Sequence, residues 1–484
     1  MPTHSFVSIS LSALLIICAS CFLNAQDKYT FQKNFSKEEF ENRRVKVYDA
    51  IGNNGIAIIQ GAADARGFNS FRQSNTFYYL SGFEAPHAYL ALDGRNRRAT
   101  LYIQHRNSGR ERSEGKTLSA EDKDLIKNLT GVQEVKPIED MARNWVYGGL
   151  VRSPHPVIYT PFSPAETGKD SRDENLRYQS SLSNDPWDGR ISKEGNFINL
   201  LRQRYPQFEI NDLSPFLDKM RNIKSKEEID MIRQASYIAG HGLLEAMRCT
   251  KPGTFEYQVE ACARYVHQIN DARRDGYCAI TGGGTNAWMG HYFRNNDPLH
   301  SGDLVLMDFA PDYHYYTSDI TRMWPVNGKF TSEQLELYNF VVAYRSALIK
   351  QIKPGVTVTN VLENAAKEMR KYIDNHTFSK SHYLKAVEKA LTFRGHMQHP
   401  VGMAVHDVGN YKATPLTEGE VFAVDPMIWI PEEKLYVRVE DVVVVTKEGV
   451  ENFTDWLPVN AEEIEATMQE TSILMTRPAI QSRN

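Results

Sequence analysis

The sequence contains no long basic run, and 56 Lys and Arg against 60 Asp and Glu leave a formal net charge of −4. Nucleic acid is thereby excluded as the principal partner, because neutralising phosphates takes a basic face. Both phosphate-binding glycine fingerprints are missing too. The glycine-rich turn Gly282-Gly283-Gly284 fits neither the GxGxxG nor the GxxxxGK[ST] spacing. Charge is absent altogether from residues 1–25, which hold no Lys, Arg, Asp or Glu. There the apolar run 6–23 ends at Leu23-Asn24-Ala25 before Gln26, the pattern of an export leader with its cleavage site. The expectation is an exported protein, periplasmic or secreted. A lipid anchor through Ala19-Ser20-Cys21 is the lesser alternative.

Cysteine is scarce, with five in 484 residues, and removal of the leader takes Cys18 and Cys21 with it. Cys249, Cys262 and Cys278 remain, an odd set without metal-like spacing. A chain of this length builds a core large enough to stand without a disulfide framework. These three therefore read as buried or spare thiols.

After the leader (1–25), alternating strand and helix patterns predict an α/β amino-terminal domain over 26–215. Its elements include a helix over 35–51 capped by Ser36, and strands at 55–59, 88–92 and 99–103. Residues 163–194 are polar and charge-rich and read as an excursion or linker. A second domain, 216–470, opens with Ser225 and Glu228 in a capping box, and a tail covers 471–484. Further helices are expected from Thr254 to 270, from Thr331 to 352, and over 363–372.

Two strand pairs in this second domain carry acids on apolar strands. In 304–322, a hairpin centred on Tyr313 and His314 sets Asp308 opposite Asp319. In 421–446, a turn centred on Glu432 and Glu433 sets Asp425 opposite Glu440. Facing carboxylates repel, so a positive group is expected between them. Carboxylates with imidazole suit Mn, Fe, Co or Zn, and two such ions can share bridging carboxylates. Histidine is concentrated nearby. His396, His399 and His406 fall within eleven residues, and His291 follows the glycine-rich turn.

The order Asp308, Asp319, His399, Asp425, Glu440 resembles that of the pita-bread metallopeptidases, and within them aminopeptidase P and prolidase. Asp308-Phe309-Ala310, Ser318-Asp319-Ile320-Thr321-Arg322, His399-Pro400-Val401-Gly402, His406-Asp407-Val408-Gly409 and Arg438-Val439-Glu440-Asp441 match the motifs of aminopeptidase P. Phe71-Arg72-Gln73 and the run 77–83 are similar to that family's amino-terminal domain. The resemblance implies an α/β amino-terminal domain, an α+β pita-bread catalytic domain and a homo-oligomer. It also implies two divalent ions, manganese first. Asp308 would bind one ion, Asp319 and Glu440 both, and His399 and Asp425 the other. A hydroxide between them would attack an Xaa-Pro bond, with Asp425 taking the proton. His291 and His406 would face the substrate, and Arg438 would hold a site carboxylate and border the substrate. Proline-containing peptides are the implied substrates.

Asp425 departs from the glutamate usual in the family, being one methylene shorter. Gly395 stands where aminopeptidase P often has another histidine, with His396 one position later. Three readings follow: an Xaa-Pro aminopeptidase, a prolidase restricted to dipeptides, and a metal-free peptide-binding pseudo-peptidase.

Overall fold

The computed structural model describes residues 31–143 and 157–477. The leader, 1–25, lies outside the described residues. The chain divides into two compact units, one of Met1–Thr167 with Leu182–Ser214, the other of Gly168–Ser181 with Pro215–Asn484.

The first unit is a mixed six-stranded sheet with helices, an α/β architecture. Helix α1 (Lys37–Ile51) starts at Ser36, whose hydroxyl accepts from the Glu39 N–H, and its buried Phe40, Val47, Tyr48 and Ile51 make one helical stripe. Strands β1 (Gly55–Gln60), β2 (Tyr89–Asp93), β3 (Arg98–Ile103), β4 (Glu134–Pro137), β5 (Val157–Thr160) and β6 (Glu209–Asp212) follow. Their order is β4-β3-β2-β1-β5-β6. β1, β2 and β3 pair antiparallel, while β4, β5 and β6 join in parallel. The aromatic run Phe77-Tyr78-Tyr79 lies on the short helix α2 (Asn75–Ser81), buried on every side.

Residues 163–194 are not a structureless linker. They contain helix α3 (Arg172–Asn184) and the start of α4 (Lys193–Arg204), and residues 168–181 belong to the second unit. Low apolar content hid this, since α3 buries no residue fully.

In the second unit, helix α5 (Lys226–Cys249) opens with the capping box of Ser225 and Glu228. Helix α6 (Glu256–Ile269) is capped at Phe255 rather than Thr254. The two helices are joined by a Cys249–Cys262 disulfide, with Cα atoms 6.8 Å apart, while Cys278 is exposed and free. The reading of Cys249 and Cys262 as buried or spare thiols is corrected here, while Cys278 is the spare thiol expected. The pairing depends on how α5 packs on α6, which a 13-residue separation does not reveal. Helix α7 (Ser332–Gln351) packs over short antiparallel sheets, and α8 (Val358–Asp374) packs on α7. Those sheets are β11 (Thr321–Pro325) with β9 (Leu304–Asp308) and β8 (Ile280–Gly283), β12 (Val421–Val424) with β15 (Asp441–Val445) and β16 (Val450–Asn452), and the pairs β10 (Pro311–Asp312) with β7 (Arg274–Asp275) and β13 (Met427–Ile430) with β14 (Leu435–Arg438). Side chains such as Val305, Trp324, Phe340, Val424 and Val443 fuse helices and sheets into one apolar core.

Candidate metal centre

Strand β9 (Leu304–Asp308) ends on the first acid, and β11 (Thr321–Pro325) runs back beside it. Across the ladder from Asp308 stands Thr321, not Asp319. The connection is not the simple turn expected. Pro311 and Asp312 form a bridge to Arg274 and Asp275, and His314 and Tyr315 take left-handed backbone angles of 50° and 78°. The shift is two residues, which preserves side-chain parity along an extended chain. The Tyr277 hydroxyl accordingly reaches both acids, donating to Asp308 Oδ1 at 2.5 Å and to Asp319 Oδ1 at 3.1 Å.

The second pair follows the expected register. Val424 of β12 (Val421–Val424) faces Asp441, and Met427 of β13 (Met427–Ile430) faces Arg438, so Asp425 lies opposite Glu440. A bridge between Thr321 and Glu440 brings the two strand systems together. Behind it, Arg322 donates to the Glu440 carbonyl at 2.9 Å and pairs with fully buried Asp441 at 2.8 Å. The backbone bearing Glu440 is thus held from the strand that follows Asp319.

Asp319, His399 and Glu440 each offer a donor atom within 4.8 Å of the others. His399 Nε2 lies 3.4 Å from Asp319 Oδ2. Arg438 sits among the carboxylates: its Nη2 pairs with Asp308 and lies 2.5 Å from Glu440 Oε2, and its Nε lies 3.2 Å from Asp425 Oδ1. Gln398 donates to the other Asp425 oxygen at 3.0 Å.

Burial makes this charge expensive. It pushes the Asp319 carboxyl well above its ordinary range, with Glu440 and Asp308 adding repulsion, and raises Asp425 and Glu440 as well. Burial alone would lower the Arg438 pKa, but Asp425, Glu440 and Asp308 reverse that and raise it. One guanidinium against four carboxylates leaves a negative surplus. Asp425 Oδ1 is also buried without a hydrogen bond. Crowded carboxylates, one imidazole held neutral by burial and a buried carboxylate oxygen with an ion pair but no hydrogen bond together fit divalent cations.

Asp308, Asp319, His399, Asp425 and Glu440 border a cavity of about 250 Å³, also lined by His291, His406 and Arg438. The His406 ring lies 4.1 Å from that of His399 and 6.4 Å from that of His291. Every residue expected at the site therefore reaches one cavity. His396 does not. It is buried against the Ala390 carbonyl, with its pKa lowered to about 4 by burial.

Other lining residues carry no motif: Tyr277, Gln398, Cys278, Lys169 and Glu174. A lone tyrosine or glutamine has no signature, and Lys169 and Glu174 come from the stretch taken for a linker.

Acids and imidazole converging from two strand pairs on one cavity define a hydrolytic metal centre. Residues 230–447 match the model of metallopeptidase family M24, and residues 40–146 match that of the aminopeptidase P N-terminal domain. An Xaa-Pro aminopeptidase of Escherichia coli is 30% identical over 464 residues, covering 90% of this chain and 98% of its own. Another from Haemophilus influenzae is 29% identical over 458 residues, covering 90% and 99%. Among solved structures, E. coli aminopeptidase P with the inhibitor Pro-Leu superposes with a TM-score of 0.71 at 27% identity, covering 90% and 98%. Proline aminopeptidase P II of Yersinia pestis gives 0.71 at 28%, covering 90% and 99%. The chain belongs to metallopeptidase family M24, with the pita-bread catalytic fold and an aminopeptidase P amino-terminal domain.

Proposed function

We propose that this protein is a metal-dependent aminopeptidase that removes the first residue from peptides with proline in second position. The observation that carries the reading is the meeting of Asp308, Asp319, His399, Asp425 and Glu440 at one cavity, in a chain collinear with Xaa-Pro aminopeptidases. These five residues would hold two divalent ions, manganese foremost. Bound metal supplies a water of lowered pKa and a Lewis acid for the scissile carbonyl.

The rest of the chemistry falls to the chain. Asp425 Oδ1, free of hydrogen bonds, would accept the proton of the attacking water. His291 and His406 border the cavity and would steady charge developing on the carbonyl oxygen. Arg438 and Tyr277 fix the carboxylates through charge-assisted bonds and so keep the ligand set in one arrangement. The proton Asp425 takes up would then pass to the proline nitrogen, so that the second product leaves as a neutral secondary amine.

Export is part of the proposal. The uncharged leader supports it, and so does the Cys249–Cys262 disulfide, which persists in oxidising compartments. Among the described residues no helix is long and apolar enough to cross a membrane. A homo-oligomer is expected, to be read by light scattering.

The test is hydrolysis of Xaa-Pro and Xaa-Pro-Yaa peptides with Mn²⁺ and with chelator, the Asp425→Glu variant alongside. Chelator-sensitive release of the first residue from tripeptides is the expected result. Cleavage of dipeptides alone selects prolidase. Activity confined to the glutamate variant means that Asp425 has silenced the site. No cleavage and no bound metal in either protein refutes the proposal.

A further inference from the structure

Residues 147–229 lie outside both family-matched regions, yet 168–181 fold with the catalytic unit. This strap touches His406 twice. Buried Ser171 accepts the His406 backbone N–H on Oγ at 3.1 Å, and Asp173 Oδ2 lies 3.2 Å from the ring Nδ1. Arg177, one turn along α3, donates to the same Asp173 oxygen at 3.4 Å. On the other side, Asp407 is buried between Arg221 and Lys224, which anchors the loop that carries His406. His406 is therefore gripped at its backbone, at its neighbour and at one ring nitrogen. Asp173 does not itself line the cavity, so any effect it has on chemistry passes through His406.

We propose that Ser171 and Asp173 are positioning residues that set the orientation and tautomer of His406, a proposal resting on the aminopeptidase reading. A carboxylate only accepts, so Nδ1 carries a hydrogen toward Asp173, and Nε2 is the ring nitrogen left for the substrate. As a half-exposed ion pair this contact adds little to stability. Its effect is geometric: it picks one of two ring states at a residue that borders the substrate.

The experiment uses the full manganese-loaded protein and an Xaa-Pro-Yaa tripeptide. Asp173→Ala is expected to lower kcat about tenfold, with KM and metal content unchanged. Asp173→Asn should be no better, because an amide N–H can donate to Nδ1 and favour the opposite tautomer. Asp173→Glu should recover most of the loss. In a His406→Ala background, Asp173→Ala should cost nothing further, as expected for residues acting as a unit. Wild-type activity in Asp173→Asn, or an undiminished penalty in the His406→Ala background, overturns the proposal. If the parent protein cleaves nothing, the aminopeptidase reading has failed, and the proposal is read instead from imidazole ¹⁵N shifts of the zinc-loaded protein. A protonated Nδ1 at His406, lost in Asp173→Ala, supports it. The same tautomer in both proteins overturns it.

Discussion

Thr321 donates its hydroxyl to Glu440 Oε2 at 2.8 Å while accepting from Arg438 Nε at 2.9 Å. One short side chain thus links the arginine to a carboxylate, from a place directly across the ladder from Asp308. Thr321→Val keeps the shape and strand preference and removes the link, leaving the buried guanidinium and the Glu440 carboxylate each with one hydrogen bond fewer beside their direct ion pair. The fold is expected to survive, and metal affinity to fall by about 10-fold or more, read by calorimetric titration of the metal-free protein.

The proposed function gives Asp425 two roles, ligand and proton acceptor, and Asp425→Ala removes both. It is expected to lower bound metal, measured by elemental analysis, and to cut kcat by about 100-fold or more. Exhaustive chelation of the parent should abolish cleavage, with recovery when Mn²⁺ is returned. Recovery without added metal would contradict the assignment.

His267 gives a pH dependence separate from the site. Neither ring nitrogen has a hydrogen-bond partner among the described residues, and burial pushes the pKa down to about 3. Below the ordinary histidine pKa of about 6.5 the unfolded chain takes up a proton that the native ring refuses. The contribution is complete above that value and is lost as pH falls toward 3, at a limiting slope of about 1.4 kcal/mol per unit. Between pH 7 and 5, His267→Leu should lose about 2 kcal/mol less than the parent in denaturant unfolding.

The Cys249–Cys262 bond closes a loop with a separation of 13 residues. Mass mapping without reductant should recover the two cysteines linked and Cys278 free. Replacing both with serine is expected to cost about 3 kcal/mol of unfolding free energy. Equal stability of the parent with and without reductant would count against the pairing.

How much could be read beforehand depended on the distance over which each signal acts. Ser36, Ser225 and Thr331 cap their helices as expected, because a cap needs only its own first turn. Asp425 met Glu440 because the turn between their strands is tight, closed by a left-handed Lys434 at 48°. Asp319 missed its expected partner because two consecutive left-handed residues and a bridge to distant Arg274 and Asp275 remade the connection. Family motifs supplied the roles that chemistry alone left open. The grip of Ser171 on His406 spans 235 residues, and no local pattern encodes a contact of that reach.

The strap has a consequence for the life of the chain. Residues 168–181 leave the ribosome before any of the five ligands and must wait for His406 before closing their side of the cavity. The catalytic centre is therefore among the last parts to be finished, and completing it requires nearly the whole polypeptide. A fragment starting at residue 215 would display every motif of the metal centre and still lack residues 168–181, leaving His406 unheld.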